Sequence, residues 1–140
     1  VAGFSCAIAI IPEPNTRQRF LETQVAMPHV STLAYAVTES CLRHGWLWHR
    51  ELINALKQNR NTVTDWAKGY PELEVTTGHA TFLAWIESYN QTDLSERFVR
   101  QGVRLSPGTA FGSDTATRLN FGTNPVTLGE ALSRMDTALL

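Results

Sequence analysis

Arg118 is the charge in this sequence best placed to do chemistry. It stands in Ala116-Thr117-Arg118-Leu119-Asn120-Phe121, an alternation that predicts a β-strand with Leu119 and Phe121 on one face and Arg118 and Asn120 on the other. A guanidinium held on a strand is planar and always charged. It can grip a carboxylate through two parallel N–H···O bonds. On pattern alone, the ordinary reading is a solvated arginine on the polar face of a strand. Just upstream, Ser106-Pro107-Gly108-Thr109-Ala110-Phe111-Gly112 is a loop with two glycines and an aromatic, a composition shared by functional loops and plain turns.

Other chemistry is less well provided for. The chain has only two lysines, Lys57 and Lys68, among its 12 basic residues. His29, His44, His49 and His79 show no metal-ligand spacing, and His44 and His49, five apart, fall on different helical faces. Chain order suggests no Ser/His/Asp or Cys/His pairing. Trp46, Trp48, Trp66 and Trp85 read as core or interface aromatics. Cys6 and Cys41 read as free thiols in a reducing compartment rather than as a disulfide framework.

The elements that would position Arg118 follow from periodicity. Phe4 to Ile11 is an almost unbroken apolar run closed by Pro12, which predicts a strand buried on both faces. Such a strand requires neighbours, and the rest of the chain offers few. It is therefore expected to be covered by material outside these residues, a large domain or a symmetry mate. A segment found solvated on both faces and unpaired would remove this argument. Asn15, with Gln18 three residues on, predicts a helix start, the helix running to about Ala26 before Pro28. A second helix begins near Ser31, with Leu33, Ala34, Val37 and Cys41 on its apolar face, and ends at Gly45. A long helix covers Leu47 to Lys68, with Leu52, Leu56, Val63 and Trp66 on its stripe and Ile53 and Ala67 beside it. Short strands are expected at Leu73–Thr76 and Thr81–Ile86, joined through Gly78, and at Val103–Leu105 and Ala116–Phe121. Asp93 and Glu96 predict a short helix ending near Gly102, and Thr127 and Glu130 a capping box for the last one. That helix carries Leu128, Ala131, Leu132, Met135 and Leu139 on one face. Helices first, then short strands packed by helices, describe an α+β fold.

Composition narrows the function classes. With 140 residues, 43% of them hydrophobic, and a net charge of −1, the chain has the balance of a globular protein. It lacks the basic excess by which nucleic-acid binders neutralise phosphates. No apolar run approaches the ~20 residues of a membrane span. The sequence opens VAGFSCAIAII with neither an initiator methionine nor a basic leader, as expected of a piece of a longer chain.

Four segments, in this order, resemble fold-type I pyridoxal-phosphate (PLP) enzymes of the aminotransferase class I/II superfamily, in the cystathionine β-lyase or C–S lyase-like branch. VAGFSCAIAIIP is similar to the strand that follows the PLP-binding lysine, and HATFLAWIES to a strand of the small domain. GVRLSPGTAFG resembles the glycine-rich loop at the active-site mouth, and TRLNFGTNPVTLGEALSRMDTAL the closing strand and last helix. The resemblance implies the C-terminal small domain of that fold (residues 45–140). It also implies a strand and helices belonging to the large PLP-binding domain, together with a connecting helix (residues 1–44).

The same resemblance assigns Arg118 to the α-carboxylate of an amino-acid substrate, aimed into a cleft. It places the Schiff-base lysine upstream of Val1, so that no catalytic residue is expected in this chain and Lys57 and Lys68 cannot stand in. Where the family often has a basic residue for the PLP phosphate, this chain has Ser5, whose hydroxyl can still donate but brings no charge. The parent protein is then a cytoplasmic, homodimeric PLP-dependent β-lyase releasing thiol, pyruvate and ammonia, and this chain alone should be inactive without its N-terminal large domain. Two other readings stay open. One is a class I/II aminotransferase; the other is a non-catalytic sensing domain of a regulator that has kept the aminotransferase shape.

Overall fold

The computed structural model describes residues 2–24, 29–90 and 93–140. The chain divides into two compact units, Val1–Arg50 and Glu51–Leu140, the division falling inside one long helix.

In the first unit, Ala2–Phe4 form a single 3₁₀ turn, and Ser5 follows with φ 52°. Phe4–Ile11 does not form the predicted strand. It carries no ladder, and Ile8 and Ile10 are 63% and 85% exposed. A parallel-type strand exists only through its neighbours' hydrogen bonds, and no partner strand lies beside it among the described residues. Solvated and unpaired within this chain, the segment does not by itself point to a covering domain.

Helix α1 spans Pro14–Thr23. Its cap is Glu13 rather than Asn15: the Glu13 carboxylate accepts from the backbone N–H groups of Asn15 and Thr16, and Pro14 takes the first helical position, where its missing N–H costs nothing. These bonds favour the charged form, so the Glu13 pKa is lowered, chiefly through Thr16. The helix ends three residues short of Ala26, which itself lies outside the described residues. Helix α2 spans Thr32–His44, capped by Ser31 and closed by Gly45 as predicted. Of its predicted apolar face only Ala34 is buried; Leu33 is 64% exposed.

Helix α3, Trp46–Ala67, carries the second unit's main stripe. Leu52, Leu56, Val63 and Trp66 turn inward as predicted, but Asn59 stands in the same seam, 2% exposed. Strands β1 (Leu73–Thr77), β2 (Leu83–Ser88), β3 (Ser106–Pro107) and β4 (Ala116–Asn120) make one antiparallel sheet ordered β1-β2-β4-β3. The β1–β2 turn takes its left-handed residue from Thr81 (φ 72°) rather than from Gly78. The expected strand at Val103–Leu105 falls instead at Ser106–Pro107, the first residues to reach β4.

Helix α4 (Leu94–Arg100) and helix α5 (Pro125–Leu139) complete the unit. The α5 cap is Asn124, accepting from Val126 N–H at 2.8 Å, with Pro125 at the first position; the predicted Thr127 start lies inside the helix. Ala84, Ile86, Leu119 and Phe121 of the sheet side meet Val63, Phe98, Leu128, Leu132 and Met135 in one apolar core. Burying each large side chain contributes about 1.5–3 kcal/mol, and α5 supplies its face as predicted. The mixed fold thus matches the α+β expectation.

Candidate functional site: an arginine held flat on the open face of the sheet

Alternation along β4 buries Thr117 and Leu119 and leaves Arg118 half-buried on the opposite face. Cross-strand pairing sets Arg118 opposite Trp85 of β2 and opposite Ser106 of β3. The loop after β3 then returns beneath it. Ser106 carbonyl accepts from the buried Thr117 hydroxyl at 3.1 Å. Gly108 is pressed so close to β4 that a Cβ there would stand 2.4 Å from the Ala116 carbonyl oxygen and 2.7 Å from that of Ser113. Only glycine fits. One 3₁₀ turn later Phe111 lies under the guanidinium, whose carbon sits 4.3 Å from the ring centroid. Trp85 meets Phe111 edge-on at 5.9 Å between centroids.

This stack leaves the charge of Arg118 uncommitted. Its Nη2 reaches Ser106 Oγ at 3.5 Å, the outer limit of a hydrogen bond and a weak one. No carboxylate among the described residues forms an ion pair with it. The acidic residue of β2 on that face, Glu87, is engaged elsewhere: its Oε1 accepts from Thr115 Oγ1 at 3.0 Å and from Ser113 Oγ at 3.4 Å. What results is a cation with one flat face covered and its N–H edges free of internal acids. Such a group can receive a carboxylate in the bidentate mode.

Ser5 lies in the first unit, exposed in a turn. Lys57 is exposed on α3, and Lys68 pairs with Asp65 at 2.6 Å. No lysine stands with Arg118. Two of the cavities among the described residues can be compared with the position of Arg118. One, of about 430 Å³, lies in the first unit between Cys6, Ile8, Tyr35, Thr38 and Leu42; the other, of about 250 Å³, lies by Arg104, Glu130 and Arg134. Arg118 lines neither of these two. No group of three potential metal ligands occurs among them, and no helix there is long and apolar enough to cross a membrane. Cys6 and Cys41 are free.

Sequence reasoning missed two contributors. Phe111 was visible only as an aromatic in a glycine loop. Asn59 donates from Nδ2 to the carbonyls of Phe121 and Thr123, both at 2.8 Å, and so ties the end of β4 to α3. An asparagine in the seam of an otherwise apolar helical stripe was its signal.

No family model matches the chain, and no curated protein does at a significant level. Solved structures do. OvoB superposes over 99% of this chain with a TM-score of 0.87 and 34% identity. A protein of Corynebacterium diphtheriae described as a PLP-dependent β-cystathionase superposes over 99%, with a TM-score of 0.79 and 29% identity. Cystalysin of Treponema denticola, whose structure contains pyridoxal 5′-phosphate, superposes over 93% with a TM-score of 0.77 and 24% identity. The chain spans 38%, 39% and 36% of their respective lengths. Its fold is that of the C-terminal portion of PLP-dependent enzymes of the aminotransferase and C–S lyase kind, as the four sequence segments suggested.

Proposed function

We propose that this chain is the substrate-carboxylate-binding part of a PLP-dependent carbon–sulfur β-lyase, cystathionine β-lyase-like, that releases thiol, pyruvate and ammonia. The observation that carries this reading is the state of Arg118: half-buried, stacked on Phe111 and unpaired with any carboxylate among the described residues. A half-buried cation stacked on a ring and without an acidic partner is a group that a ligand's carboxylate completes. The likeness to a β-cystathionase at 29% identity supports the substrate class.

The residues present do not by themselves make a cofactor site. Neither lysine is placed for it, and Ser5 offers a single exposed hydroxyl as a candidate contact for the cofactor phosphate. Bound pyridoxal phosphate supplies the electron sink that makes an amino acid's α-proton removable. This chain's part is binding and orientation. The planar fork of Arg118 donates two parallel charge-assisted bonds to the substrate carboxylate, which fixes the plane of that carboxylate and so orients the α-carbon. Phe111 covers one flat face of the guanidinium and leaves the N–H edges to the ligand.

In this reading residues 1–44 belong to the large PLP-binding domain and its connecting helix, and residues 45–140 to the small domain. The rest of the large domain lies upstream, and the whole is a cytoplasmic homodimer in which this chain alone is inactive. The test is an assay of the full-length protein with cystathionine, following thiol and pyruvate. Stoichiometric release of both is expected. Keto-acid-dependent amino transfer without thiol release would replace the lyase by an aminotransferase, which the same carboxylate clamp would serve equally well. Absence of both activities would favour a sensing domain.

A further inference from the structure

We infer that Phe111, braced by Trp85, is a positioning residue that sets the plane of the Arg118 guanidinium and thereby the affinity for the carboxylate. This rests on the carboxylate-clamp reading above and deepens it. Three groups touch or flank the guanidinium, and their strengths are unequal. The Ser106 hydroxyl, at 3.5 Å, is too long to fix an orientation. Trp85, its cross-strand neighbour, meets Phe111 edge-on. Phe111 lies at 4.3 Å from the guanidinium carbon, well inside the distance at which an aromatic face attracts a cation. The orienting contact is therefore the ring.

The ring's own position is over-determined. The β3–β4 pairing anchors one end of the loop, and Gly108, with no room for a Cβ, presses the loop onto Ala116. Gly112 (φ 87°) closes the turn, donating its N–H to the Thr109 carbonyl at 3.3 Å. Such packing is wasted on a surface arginine. It suits one whose free edge must face a planar ligand, because a bidentate bond is lost when the donor plane rotates. Without the ring the side chain recovers rotamers that point its edge away, and part of the binding energy goes into re-ordering it.

The experiment uses the full-length holoenzyme and L-alanine as probe, an amino acid with the α-carboxylate but no leaving group on Cβ. Equilibrium binding is measured by calorimetry for the wild type, Phe111→Leu, Phe111→Tyr, Trp85→Leu, Arg118→Ala and the Phe111→Leu/Arg118→Ala double variant. Phe111→Leu should weaken binding about 3- to 30-fold, the range of a partly desolvated cation–π contact. Phe111→Tyr should bind within about 2-fold of wild type, since the ring is kept. Trp85→Leu should lose less than Phe111→Leu, and in the Arg118→Ala background Phe111→Leu should add nothing. Arg118→Ala weakening binding while Phe111→Leu and Trp85→Leu leave it unchanged would overturn the inference and leave the clamp standing. Arg118→Ala with no effect would remove the clamp and this inference with it. Should Phe111→Leu fail to fold, Trp85→Leu with and without Arg118→Ala decides: equal losses in both backgrounds overturn the inference.

Discussion

Replacing Asn59 by leucine should destabilise the protein by about 3 kcal/mol, and the structure says why. The Asn59 amide is 2% exposed, and its nitrogen donates at 2.8 Å to both the Phe121 and the Thr123 carbonyls. Leucine keeps the same branched, four-heavy-atom side chain and is the bulkier of the two, so no cavity opens. The cost is then that of two carbonyls losing their donor. A buried one left unpaired costs about 1–3 kcal/mol; that of Phe121 is buried and that of Thr123 partly so, which puts the sum at about 2–4 kcal/mol. Asn59→Asp is a sharper probe. Its carboxylate would face two carbonyl oxygens without a proton to offer, so burial and repulsion would raise its folded-state pKa. A raised carboxylate pKa means that the folded state binds more protons than the unfolded one. The Asp variant should therefore be least stable at neutral pH and recover as pH falls toward about 4. Urea unfolding of both variants between pH 4 and 8 measures this. A leucine variant within 0.5 kcal/mol of wild type, on the order of a neutral surface change, would refute the reasoning. An Asp variant whose deficit is the same at every pH would refute it equally.

Trp66 Nε1 and Tyr70 OH both donate to Asp136 Oδ1 at 2.6 Å, joining the end of α3 to α5, and this hydrogen bond pushes the Tyr70 pKa up to about 12. Because the neutral phenol is the stabilised form, that contribution is complete below the unfolded value of about 10 and disappears as pH rises through about 12. Ultraviolet titration should show Tyr70 ionising late, and Asp136→Ala should bring it back toward the ordinary range; an unchanged curve would contradict the contact. Gly108→Ala forces a methyl against the Ala116 and Ser113 carbonyls, and should cost about 2–3 kcal/mol as an overpacked site that cannot relax. It should also weaken amino-acid binding, because Phe111 moves with the loop.

The second unit could be read from sequence far better than the first. Leu128, Leu132 and Met135 recur at helical spacing and are buried, and the alternation around Arg118 gave both its strand and its outward face. These are local periodicities, enforced by a core the unit itself contains. Both misplaced helix starts have one cause. A side-chain acceptor directly before a proline, Glu13-Pro14 and Asn124-Pro125, outranked the downstream Asn15 and Thr127, because proline's fixed φ already fits the first helical turn. Phe4–Ile11 failed for a different reason: strand formation depends on partners, and composition alone cannot supply them. At the site, the role of Arg118 could be suspected, but the ring beneath it could not. Phe111 reaches it only through a loop return that Gly108 permits, a contact no period encodes.

Whether Arg118 recognises a carboxylate is decided by comparing, in the full-length enzyme, an amino-acid substrate with its neutral α-carboxamide, each with wild type and with Arg118→Ala. Two charge-assisted bonds should make the wild type prefer the acid by about 10²- to 10³-fold in kcat/KM, and the alanine variant should lose nearly all of that preference. A variant that still discriminates as the wild type does would show that the carboxylate is held by some other group.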